Sequence, residues 1–286
     1  SRVDYQRNGN QTVRGNIKYG ILRLEISGTK TVDGPLDVDG QLQLYDNTTL
    51  DLQNDDHTFA GSITNEAGGC TIDGLSANVT LDAADAAQTV YTGTYSFNNL
   101  TVTLTAGSAT TTKTFNAGST ITMDGDFTVT NTLGSPALYH IINFNDNGIA
   151  GTPDNFNLGS YCQFNTTNAA IGASAMDNFA GTITCDPTSI YYYSLNGAQS
   201  IADGFTYGNV YLYAGNKTAE GDIDINGDLY RTGGTPVLYD GGNNINIEGD
   251  WRLNNAAYYT QASATGTVIF DGADQDIQGV NFNNIT

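Results

Sequence analysis

Residues 196–229 read NGAQSIADGFTYGNVYLYAGNKTAEGDIDINGDL, and this stretch decides how the chain is parsed. A Gln in a Gly/Asn turn (Gln199) is followed by an aromatic residue and an apolar one three positions later (Tyr207, Val210). A Lys in a second turn (Lys217) then leads into an alternating run closed by Asn-Gly (Ile223, Ile225, Gly227, Leu229). The same order of markers recurs along the chain, and a repeat has to be recognised before any residue is given a role.

The Gln marker stands at Gln11, Gln88, Gln199 and Gln275, so two nearly equal intervals flank a longer one. Each marker is followed by an aromatic/apolar pair: Tyr19/Leu22, Phe97/Leu100, Tyr207/Val210 and Phe282/Ile285. Lys30, Lys113 and Lys217 come next in the three full units, then a first Gly (Gly40, Gly125, Gly227) and a second (Gly61, Gly181, Gly249). The separation of the two glycines is nearly the same in the first and third units and more than doubled in the second. The excess between glycines equals the excess between Gln markers, so one insertion accounts for both. The units are therefore 1–78, 79–189 with an insertion at about 131–165, 190–266, and the opening of a fourth at 267–286. Because the chain starts at Ser1 and ends on FNNIT, an echo of FNNLT at 97–101, we expect a segment of a longer repetitive protein.

Helix formers are sparse, whereas Gly, Asn, Thr and β-branched residues dominate. Short alternating runs such as Leu22–Ile26, Leu100–Leu104 and Ile245–Ile247 each read as a half-buried strand. Two all-β architectures accommodate them. Tandem small β-sandwiches would need one per unit, and ~77 residues is short against the ~100 of an immunoglobulin-like domain. A repetitive parallel β-helix or β-solenoid fits better, with the spacing from Gly40 to Gly61, or from Gly227 to Gly249, as one coil. About thirteen coils at ~4.8 Å each would make an object roughly 60 Å long. The Asn-, Gly- and Pro-rich segment 132–167 reads as part loop and part coil.

The chain has 30 acidic and 10 basic residues, a net charge of −20, and six of its basic residues lie within 2–30. That balance excludes nucleic acid as a partner and disfavours anionic membrane surfaces. No apolar run approaches the ~20 residues of a membrane-spanning helix. Cys70, Cys162 and Cys185 form no metal motif; one disulfide, with Cys162–Cys185 the preferred pair, and three buried thiols are both compatible with the sequence. Acidity, Asn/Thr richness and repetition point to an exported protein.

Asp222, Asp224, Asn226 and Asp228 resemble the opening of a calcium loop, but Gly233 stands where an EF-hand needs Glu. The alternative is that these carboxylates are the solvent side of a strand, with weak, distributed calcium binding and no dedicated cofactor. No nucleophile elbow or Ser/His/Asp set is present, and His57 and His140 lie in unrelated contexts, so no catalytic residue is assigned. The repeated Gln11, Gln88, Gln199, Gln275, Lys30, Lys113 and Lys217 read as structural, capping corner backbone groups. Tyr191, Tyr192, Tyr193, Tyr211, Tyr213, Tyr258 and Tyr259 are candidate contact residues, because adjacent rings on a strand cannot all point inward. Exposed rings suit stacking on sugars or packing on another subunit.

NGAQSI at 196–201 with its echoes NGNQTV and DAAQTV, the FNNLT/FNNIT pair, and the run from 221 to IEGDWRL at 247–253 resemble the repeat regions of giant surface adhesins and fibre proteins of Bacteroidota exported by type IX secretion. The resemblance implies an extracellular, cell-surface filament that attaches to a surface or glycan, with self-association into a fibre and no catalytic residues. The reading from another class is a carbohydrate-binding or glycan-processing β-helix module.

Overall fold

The computed structural model describes residues 1–66, 69–82, 87–104, 110–133, 139–167, 178–261, 265–279, 282 and 285–286. The chain winds into a parallel β-solenoid of about 11 turns, somewhat fewer than the glycine spacing leads one to expect. The shortfall has a simple cause: turns differ in length. One turn carries the chain from Arg2 to its partner Ile21, whereas another, about half as long again, carries it from Thr111 to His140.

Among the described residues a typical turn lays down three short strands, one per face of a prism. The first face is a 12-stranded sheet from Arg2–Tyr5 to Trp251–Arg252. The second and third faces share a 13-stranded sheet, because the long strands Thr71–Leu81 and Thr94–Leu104 run from one face onto the next. Beyond Ile183–Cys185 these two faces continue as separate four-stranded sheets, opening with Gln199–Ile201 and Thr206–Tyr207. Pairing joins each strand to its equivalent one turn on, which rules out tandem sandwiches.

Period-2 alternation sends every second side chain inward. In-register stacking then builds columns, such as Val38, Phe59, Leu81, Val102, Val129, Leu158 and Cys185 on the third face, all buried. Aromatic rings fill the wide middle: Phe127 touches Phe144, Phe156 and Phe164, and Phe164 meets Tyr191. Each such side chain contributes roughly 1.5–3 kcal/mol on burial, but only if turns lie on both sides of it. The markers Tyr19, Leu22, Phe97, Leu100, Tyr207 and Val210 all lie in this core, whereas Ile285 is 54% exposed at the last turn.

The paired glycines mark one point on successive turns. A Cβ on Gly61 would overlap the carbonyl of Gly40, and one on Gly249 the carbonyl of Gly227. In the second unit the Gly125 carbonyl accepts from Asp154 N–H, and the Asp154 carbonyl from Gly181 N–H. Gly125 and Gly181 are thus two turns apart, one turn more than the equivalent glycines of the other units, while from Gln marker to Gln marker the second unit exceeds the first by two faces. His140–Asn145, Ile149–Gly151, Phe156–Leu158 and Cys162–Thr166 are all paired strands within the insertion. The expectation of a partial loop there is corrected for the described residues; 134–138 lie outside them.

The sequence repeat is not a whole number of turns. Gln11 and Gln199 stand on the second face, in the strands Gln11–Val13 and Gln199–Ile201, while Gln88 stands on the first, in Gln88–Val90. From Gln11 to Gln88 the chain runs one face short of four turns; from Gln88 to Gln199 it runs one face more than four.

Candidate functional site

The Gln and Lys markers meet at the corners. Gln11 pairs in register with Lys30, Gln88 with Lys113 and Gln199 with Lys217. Lys217 Nζ donates to the carbonyls of Leu195, Gly197 and Ala214 at 2.8, 3.1 and 2.9 Å; Lys30 Nζ donates to those of Arg7 and Gly9, both at 2.8 Å. Gln88 Nε2 donates to the Phe59 and Gly61 carbonyls, and Gln275 Nε2 to those of Ile247 and Gly249. A tight turn aims several carbonyls at one spot inside the corner, and a long donor from the next strand satisfies them. Burial pushes the Lys113 and Lys217 ammonium groups down to about 8, and the Asp82 charge acts the other way on Lys113. Lys30, Lys217, Gln88 and Gln275 thus serve the backbone, and Lys113, like Lys30 and Lys217, is buried.

Sequence reasoning missed the tyrosine pair that begins shortly ahead of the Gln marker. Tyr193 OH lies 2.6 Å from Tyr207 OH; Ala202 N–H donates to the first hydroxyl, and the second donates to the Ala202 carbonyl. Tyr5, Tyr19 and Arg14 repeat that arrangement in the first unit. The signal was present as a Tyr at the same offset from Gln11 and Gln199, but Asp82 and Phe97 occupy the equivalent places in the second unit.

Asx side chains form axial ladders. The backbone N–H of Asp228 donates to Asn209 Oδ1, that of Asp250 to Asp228 Oδ1, and that of Asp276 to Asp250 Oδ1, at 2.9, 2.9 and 2.8 Å. Asn99, Asp126 and Asn155 do the same earlier in the chain. Two of the calcium candidates, Asp222 and Asp228, belong to such ladders. Asp228 and Asp222 each accept a backbone N–H from the next turn, Asp224 accepts Thr206 Oγ1–H, and Asn226 is a corner residue. No group of three or more His, Cys, Asp or Glu side chains with metal-binding geometry occurs among the described residues.

His57 and His140 are interior. His57 Nδ1 accepts from Leu36 N–H while Nε2 donates to the Leu52 carbonyl, so the ring is a neutral brace. Burial and the Lys113 charge push His140 down to about 4. Cys70, Cys162 and Cys185 are buried free thiols, so the Cys162–Cys185 bridge is not formed; burial pushes both of those thiols up to about 12.

The candidate contact tyrosines divide by strand parity. Tyr191, Tyr193 and Tyr259 point inward and are buried, which removes them as contacts. Tyr192, Tyr211 and Tyr230 stack in register on the outside of the first face, with ring centroids 6.5 and then 5.2 Å apart. Tyr213 also points outward, and Tyr258 sits under the Arg231 guanidinium. Tyr230, missed in the sequence, lies in register with Arg252, which is paired with Asp250. One concavity elsewhere, about 440 Å³, is open and polar and is lined by Asp51, Gln53, Asn54 and Asp73 through Ser76. With this geometry in view, the comparisons add no relative: no family model, curated protein or solved structure matches the chain.

Proposed function

We propose that the chain is a structural and adhesive segment of a large extracellular cell-surface fibre of the type IX-secreted adhesin kind. The observation that carries this reading is the coincidence of axial ladders: backbone pairing, stacked core side chains, corner Lys/Gln caps and Asx columns all run along one axis. A force along that axis is met by every ladder at once, and each turn contacts only its neighbours. The acidic skin keeps an extended molecule dispersed. The reading includes side-by-side assembly of several chains.

Cryo-electron microscopy of the native, cell-derived assembly tests it. A multi-chain fibre built from these solenoids is the expected result. Single threads whose only specialised part is a distant tip would reduce the segment to a spacer. The glycan-processing reading would replace this one if turnover on a polysaccharide panel were abolished by one carboxylate substitution.

A further inference from the structure

The first face carries an outward column of uncharged side chains that ends in aromatic rings. The chain carries 30 acidic residues, yet none of the seven strands from Gln88–Val90 to Leu229–Arg231 on that face contains a carboxylate. One register column of outward residues runs along it: Thr89, Thr114, Asn143, Asn165, Tyr192, Tyr211 and Tyr230. Hydroxyls and amides thus give way to three phenol rings. Asn165 Nδ2 donates to Asn143 Oδ1 at 2.6 Å and Gln163 Nε2 to Asn165 Oδ1 at 2.7 Å, which orients the amides along the column. Mutual ring packing and the Thr232 Oγ1–H bond to Tyr192 OH hold the phenols in place.

We propose that this column is a binding track for a neutral polysaccharide chain lying parallel to the solenoid axis. It locates the adhesive part of the function proposed above and rests on that reading. Three observations select that occupant. An uncharged track on a chain of net charge −20 suits an uncharged ligand, since phosphate-, sulfate- or carboxylate-bearing polymers are repelled by the surrounding surface. Aromatic rings beside primary amides match a sugar ring, which has an apolar C–H face and a rim of hydroxyls that both donate and accept. The residues also recur once per turn, at ~4.8 Å, so an extended chain of similar repeat meets an equivalent group with each sugar. Pre-set side chains limit the ordering cost of binding.

Affinity electrophoresis of the whole chain through gels containing soluble mixed-linkage β-glucan, mannan, xylan or dextran, with polygalacturonate as the charged counterpart, tests the proposal. Retardation by at least one neutral polymer is expected, weakened tenfold or more in the double variant Tyr211→Ala/Tyr230→Ala and kept in Tyr230→Phe. The double variant should retain the circular dichroism of the parent, since both rings lie outside the core; if it does not, Asn143→Asp/Asn165→Asp, which adds charge to the track, is expected to abolish retardation instead. No retardation by any neutral polymer, retardation by polygalacturonate alone, or binding indifferent to these substitutions would overturn the track. A fibre seen by microscopy together with failed retardation would leave the structural reading standing; retardation without a fibre would do the reverse.

Discussion

A single side chain can hold a corner together here. Lys217 satisfies three carbonyls from inside the solenoid. Lys217→Met keeps the volume and removes the donors, and should cost about 2–4 kcal/mol in urea unfolding, since orphaned buried acceptors are expensive. His140 gives a pH signature. Its folded value, about 4, is depressed below the ordinary 6.5, so its contribution is complete above pH 6.5 and is lost as pH falls toward about 4. The loss is on the order of 3 kcal/mol and should be absent in His140→Asn, as read from urea midpoints at pH 7 and pH 4.5. The three thiols, buried and protonated, should resist a disulfide reagent at neutral pH until denaturant is added, when all three should react. The corner roles of Gln and Lys were legible in the sequence because they recur. The Cys162–Cys185 distance was not, because it depends on which turns are neighbours.

At the level of the strand and its corner, the short motif Asn-Gly-Asp works as a stacking unit. The glycine permits close approach of successive turns, and the following Asx accepts the next turn's N–H. Asp228→Ala should lower stability by about 1 kcal/mol. Asp228→Asn should be nearly silent, because Asn209 already fills the same role one turn earlier; equal losses in thermal unfolding of the two variants would argue against the ladder. Strand identity was legible from alternation alone. The side a tyrosine faces was only half legible: Tyr191 to Tyr193 must alternate, but which of them goes inward depends on the register with Val210 and Leu212.

The whole molecule behaves as a one-dimensional stack. A fragment spanning 191–266, one sequence unit, should fail to unfold cooperatively on its own, because its core columns would end on two raw faces; a sharp calorimetric transition would contradict this. Parallel winding was legible from turn-length spacing, whereas the angular relation between repeat and solenoid was hidden, because residue counts say nothing about which face a marker lands on. That relation bears on how such a shaft could be varied. A unit one face short of four turns changes the azimuth of everything it encodes by a third of a revolution, so strictly equal units would wind any surface feature round the shaft like a spiral stair. The long middle unit turns the phase back, and Gln11 and Gln199 face the same way. Insertion length thus works as an angular setting: by adding or removing part of a turn, a lineage could aim a whole block of surface without altering one residue on it.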